Sequence, residues 1–278
     1  MKNHISLFIF AIALLSGPVS ANDLSMTAVK DTLASIPGEH NYIYVRTPLG
    51  EDEEKNYDEI TFYDGLGREL DFAQSYGADR AGAIMAHHHL IEYDSLGRKE
   101  KQWLSTNTSF SYMSPEDLKG GVLWDYHDAG KRSYLQTNYE SSPLNRITEQ
   151  YGVGDAWGDH PARMEYLTNI PADSLRCSFY FIDDNDSLIR RGDYRSGELQ
   201  VTKATDEDGK PTYTFVDKQG RTLLTRLGRG NQQADTYFVF DRFGRIRYVL
   251  PPMINDEISA GNLDLYAYQY LYDSFGRC

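Results

Sequence analysis

The sequence predicts a mainly β protein: an antiparallel meander of hairpins forming a curved sheet strip, with a small β-rich region ahead of it. Three observations predict it. A five-residue pattern, Asp-x-x-Gly-Arg, recurs at 64–68, 94–98, 217–221, 241–245 and 273–277. The residues leading into each copy are β-branched or aromatic at alternate positions, as a strand face requires. Helical periodicity is scarce, confined to 24–36, 115–119 and a short stretch around 255–260.

Taken from the start, Lys2 precedes an apolar run from Ile5 to Leu15, and small residues close the segment at Val19-Ser20-Ala21. That is the pattern of a secretory signal peptide, too short to span a bilayer, with cleavage expected after Ala21. The expected product is exported, to a periplasmic, cell-surface or extracellular location. Without residues 1–21 the net charge of −13 becomes −14, since Lys2 is their only charged residue. So acidic a chain repels phosphate backbones and anionic lipid, which excludes nucleic-acid binding, and no later apolar run is long enough for a membrane span. Aromatic content of 13 % is far above that of a disordered chain. Two cysteines, Cys177 and Cys278, are too few for a disulfide scaffold.

Residues 22–39 read as a helical or irregular leader, with Ser25 as candidate N-cap and Pro37-Gly38 as stop. Residues 40–120 read as an N-terminal β-rich domain, and 121–278 as a run of repeat hairpins.

Turn chemistry explains the pattern. Asp at the first position of a type I turn accepts hydrogen bonds from backbone N–H groups just ahead, and Gly at the fourth enters the left-handed region that closes a bulged hairpin. The residues assigned this structural role are Asp64, Gly67, Arg68, Asp94, Gly97, Arg98, Asp217, Gly220, Arg221, Asp241, Gly244, Arg245, Asp273, Gly276 and Arg277, with Asp206 and Gly209 from a looser copy ending in Lys210. Residues 126–131 form a second loose relative, and 183–187 a degenerate turn. The cation after Gly is placed to pair with the turn Asp or lie over a neighbouring Tyr ring. Between the later turns, 199–205, 210–216, 221–227, 236–240 and 245–250 read as successive strands.

With Tyr63-Asp64, Tyr93-Asp94 and Tyr272-Asp273 followed by Gly-Arg, the chain resembles the RHS/YD-repeat family. Three further stretches, 41–46, 150–169 and 247–252, resemble the opening region of secreted Bacteroidetes RHS proteins. The resemblance implies a β-strip that wraps as a shell around a C-terminal toxin released by a self-cleaving core. Because the chain stops at Cys278, just after Gly276-Arg277, the expectation is a truncated product whose partners are the remaining repeats and the effector of a longer homologue.

Sharper chemistry was weighed at several points. His87-His88-His89 suggests a metal, but successive residues of a strand face opposite sides, so a partly exposed strand start is the preferred reading. His160, beside Pro161, reads as a loop residue. The acidic runs at 183–186 and 206–209 lack the later Glu of a calcium loop; turn formation accounts for them, with room left for weak calcium binding. Glu51-Asp52-Glu53-Glu54 reads as a solvated loop. Gly228-Arg229-Gly230 lacks the third glycine of a dinucleotide loop. There is no Gly-x-Ser-x-Gly elbow and no His-Glu-x-x-His helix, and Cys177 opens a strand, as a buried inert thiol would. The expectation is therefore a non-enzyme without cofactor, a scaffold that encapsulates or presents an effector. The alternative is an adhesin or glycan-binding module using Trp103, Trp124, Trp157 or exposed tyrosines against cell-surface glycans or proteins.

Overall fold

The computed structural model describes residues 26–48, 56–78, 83–228, 233–254, 258–273 and 275–278. The signal-peptide reading, the acidic run at 51–54 and most of the 228–230 motif lie outside the described residues. The chain is mainly antiparallel β and divides into two compact units, one ending at Asn145 but also holding Tyr151–Asp159, the other made of Arg146–Gln150 and His160–Cys278.

In the first unit, strands β1 (Asn41–Pro48), β2 (Asn56–Tyr63), β3 (Glu69–Ala78), β4 (Ile84–Tyr93), β5 (Lys99–Trp103) and β7 (Tyr134–Tyr139) pair in that order. The short β6 (Thr106–Ser109) pairs with β4. Strand β2 alternates strictly, with Asn56, Asp58, Ile60 and Phe62 buried and their neighbours half-exposed, the period-2 signature of a strand with one covered face. Helix α1 (Met26–Ser35) supplies the cover: Val29 and Ile36, just beyond its end, pack with Ile60, Phe62, Ala73, Ile84, Ala86 and Phe110. The segment expected as a leader is thus part of a hydrophobic core.

Helix α2 (Pro115–Asp125) starts where the sequence predicts, with Ser114 capping the Asp117 amide and Pro115 at the first turn. It continues six residues past Lys119, through Gly120-Gly121 and so across the domain boundary expected at 120, because Leu118 and Val122, one turn apart, are both buried. Gly121 is needed there: a Cβ would stand 2.6 Å from Thr106 Oγ1, so only glycine lets the helix approach β6 this closely.

In the second unit, β8 (Ile147–Tyr151), β9 (Ala162–Thr168), β12 (Gln200–Thr205), β13 (Pro211–Val216), β14 (Thr222–Leu227), β15 (Ala234–Phe240), β16 (Ile246–Leu250) and β17 (Tyr268–Gln269) follow one another. The five strands predicted after residue 198 are all present. One departure is an arm between β9 and β12: β10 (Ser178–Ile182) and β11 (Leu188–Asp193) pair only with each other. The arm's Cys177, Tyr180 and Leu188 join Leu199, Val201, Phe215, Leu224, Val239 and Leu250 in one core. The late helix, α3 (Ala260–Tyr266), begins where the stretch expected around 255–260 ends, with Ser259 capping the Asn262 amide.

Candidate functional site

The repeated turns share one hydrogen-bond plan. Asp64 Oδ1 accepts from the amides of Leu66 (2.8 Å) and Arg68 (2.9 Å), and the same pair of bonds recurs at Asp94, Asp217, Asp241 and Asp273. The backbone closes each hairpin twice, from the Gly amide to the Asp carbonyl and from the Asp amide to the Arg carbonyl. Gly67, Gly97, Gly220, Gly244 and Gly276 all have φ between 76° and 80°, where a side chain is strained. Asp206 and Gly209 form the same turn at the other end of β13, with Lys210 Nζ turned to Asp208 instead.

The arginine of each repeat does two things at once. Its Nε donates to its own turn's Asp at 2.7–2.8 Å in all five copies. Its guanidinium then lies over the aromatic ring just ahead of the following turn: Arg68 over Tyr93 at 4.5 Å, Arg98 over Tyr139 at 4.7 Å and Arg221 over Phe240 at 5.0 Å, each ring ending a strand, and Arg245 over Tyr272 at 4.7 Å, three residues past β17. Arg277 lies instead over Phe275 of its own turn. Tyr93 and Tyr139 donate back to the carbonyls of Glu69 and Lys99, the residues that follow Arg68 and Arg98. Four of the five repeat arginines therefore tie their hairpin to the following one.

These contacts hold the turn carboxylates below the ordinary aspartate range. At Asp64 and Asp273 the leading cause is the backbone hydrogen bond from the arginine. At Asp94, Asp217 and Asp241 burial pushes upward, but the arginine's backbone and side-chain hydrogen bonds outweigh it.

Two turns depart from the motif and still obey its plan. In the 183–187 turn Asp183 accepts from Asn185 and Ser187, and Asp186 stands in the glycine position at φ 65°. Its carboxylate grips Arg247 of β16 at 2.5 and 2.6 Å, which ties the arm's tip to the sheet. The other, at 142–146, was not legible as a repeat: Ser142 replaces Asp and Asn145, at φ 55°, replaces Gly. Arg146 nevertheless lies 4.5 Å from the Tyr166 ring, and Tyr166 donates to the Ile147 carbonyl, as in the intact repeats. Asn is the residue other than Gly that best tolerates a positive φ, and a Ser hydroxyl can take the Asp role, so a pattern allowing Ser at the first position and Asn before Arg would have found it.

The second loose relative is corrected by the structure. Residues 126–131 make no hairpin turn; His127–Ala129 form a 3-10 turn continuing from α2. Gly130 then packs against Asp155, which accepts from the amides of Lys131 and Arg132.

The histidine triplet is also placed differently. It lies inside β4 rather than at a strand start, and His88 is fully buried, with Nδ1 2.6 Å from Asp71 Oδ2 and Nε2 2.9 Å from the Ser109 carbonyl. His87 stacks on Tyr76, and burial lowers the pKa of His89. Alternation turns His88 to the buried face and leaves His87 and His89 on the other. His160 lies just ahead of β9, outside any strand.

Among the described residues no group of three or more His, Cys, Asp or Glu side chains could hold a metal ion. Cys177 is buried, its thiol donating to the Ser178 carbonyl at 3.7 Å. Of the tryptophans, Trp103 donates to Glu92 and packs at a tilt against Tyr134, whereas Trp124 is 83 % exposed and Trp157 46 %. No described helix is long and apolar enough to cross a membrane.

Two solved structures resemble the fold. The crystal structure of TcdB2-TccC3-Cdc42 superposes with a TM-score of 0.47 and 14 % identity, over 84 % of this chain and 11 % of that one. The crystal structure of TcdB2-TccC3 gives 0.45 and 13 %, over 78 % and 10 %. The chain thus spans about a tenth of the solved chains it matches. No curated protein matches it. Residues 41–168, from the first residue of β1 to the last of β9, match the family described as "Domain of unknown function (DUF6443)".

Proposed function

We propose that the chain is a non-catalytic, exported scaffold of the RHS/YD-repeat type, whose strip of hairpins encapsulates or presents the C-terminal effector of a longer homologous protein. The observation that carries this reading is the arginine rail. The chemistry-bearing side chains of the repeats, Asp and Arg, pair with each other within a turn, and the guanidinium reaches on to the following hairpin. Such an arrangement gives mechanical continuity and leaves no activated acid, base or nucleophile at the repeats. Export rests on the pattern of residues 1–21, and the toxin-shell role on the resemblance of the repeats.

The test is recovery of the protein from its native host under non-denaturing conditions. A stoichiometric polypeptide that resists protease until the scaffold is denatured is the expected result. Recovery of the chain alone, or with every associated polypeptide digested freely, would overturn the reading.

A second reading, a glycan-binding adhesin, is favoured by one observation, the exposure of Trp124 on the surface of α2. Aromatic rings bind sugar faces, and the Trp124 ring is open to such a ligand. A glycan array with wild-type and Trp124→Ala protein separates the two: saturable binding lost in the variant supports the adhesin.

A further inference from the structure

The arm in the second unit encloses a cleft that the scaffold reading does not use. It lies between β10 and the turn end of the sheet, holds about 250 Å³, and is walled by Phe179, Phe181, Leu223 and Phe240. Its polar lining is two guanidiniums, Arg221 and Arg242, four hydroxyl residues, Ser178, Tyr180, Tyr194 and Tyr237, and one carboxylate, Asp241. Both Asp241 oxygens are already taken, Oδ1 by the amides of Phe243 and Arg245 and Oδ2 by the Arg245 guanidinium. Arg221 spends Nε on Asp217 and Nη2 on Asp217 and Gln219. Among the described residues its Nη1, the Arg242 guanidinium and the Tyr194 hydroxyl make no hydrogen bond.

We infer that this cleft binds an aryl carboxylate, with the ring between the phenylalanine walls and the carboxylate at the Arg221, Arg242 and Tyr194 donors. The volume suits one six-membered ring with a short side chain. Aromatic walls favour a ring in offset or edge contact. Unspent guanidinium donors at the rim select an anion, because charge-assisted hydrogen bonds to carboxylate are the strong ones. Burial also raises the pKa of Tyr194, which keeps its hydroxyl a neutral donor. The carboxylate can belong to a free small acid or to the C-terminal Phe or Tyr of a peptide.

Calorimetric titration of the full chain with 3-phenylpropionate, its neutral amide, and the tripeptide Gly-Gly-Phe tests the inference. The acid should bind saturably and about 10-fold more tightly than the amide, the loss of one charge-assisted contact. Arg242→Glu, at an exposed position, should abolish the acid's binding without altering the circular dichroism spectrum. Tighter binding of the tripeptide than of the free acid assigns a chain terminus as ligand; the reverse assigns a small acid. Equal affinity for acid and amide, no saturation with either acid probe, or unchanged binding in Arg242→Glu would overturn it. None of these outcomes bears on the scaffold reading, which stands on the turns.

Discussion

The Arg98 guanidinium is shared between two hairpins: it pairs with Asp94 of its own turn at 2.7 Å and lies 4.7 Å from the ring of Tyr139, forty-one positions along the chain. Its Nη1 also donates to the Glu140 carbonyl at 2.9 Å. One side chain thus closes a local turn and a non-local contact.

Arg98→Ala should destabilise the first unit by about 1–3 kcal/mol, the loss of a stacked cation and of charge-assisted bonds at a largely covered site. Arg277→Ala, whose side chain is 77 % exposed and reaches no following strand, should stay within about 0.5 kcal/mol. Urea unfolding of both variants checks the contrast. Equal losses would mean that the rail adds nothing to the turn itself.

Gly97→Ala should cost about 1–3 kcal/mol, because φ is +80° and a Cβ would lie 3.0 Å from Arg68 Nη1. Asn145→Gly, at φ 55°, relieves the same conformation and should be neutral or slightly stabilising. Thermal denaturation midpoints read both.

Arg226 is the largest fully buried side chain, held bidentately by Asp235 and donating to the carbonyls of Ser174 and Arg176. Arg226→Met leaves Asp235 without its cation and two carbonyls without donors, so a loss of about 3–5 kcal/mol is expected. Proteolysis should then open the segment around 174–176 first. Retained stability in the variant would show that the clamp is dispensable.

The turn aspartates have folded-state pKa values below their unfolded ones, so their stabilisation is present above about pH 4 and is lost as pH falls through the lowered folded values. Stability to urea should therefore decline from about pH 4 downward. Asp94→Asn should flatten that decline while lowering stability at neutral pH. An unchanged acid slope in this variant would remove Asp94 from the linkage.

How much was legible in the residues follows from the range of each interaction. Asp64, Gly67 and Arg68 close their turn within five residues, through bonds that need no other part of the chain, and the same holds for Asp273 to Arg277. Turn positions, strand alternation and the antiparallel order of neighbours were therefore determined by the sequence alone. So was the start of α2, because a cap and a first-turn proline are local devices.

Tertiary structure alone decided which ring each arginine covers, that the arm leaves the sheet and is pinned by Asp186 to Arg247, and that Gly121 continues a helix instead of ending it. It also decided that Ser142 and Asn145 work as a turn. The reason is physical: these choices depend on burial and on partners tens of residues away, where local preference is weak and packing against a specific neighbour carries the larger free energy.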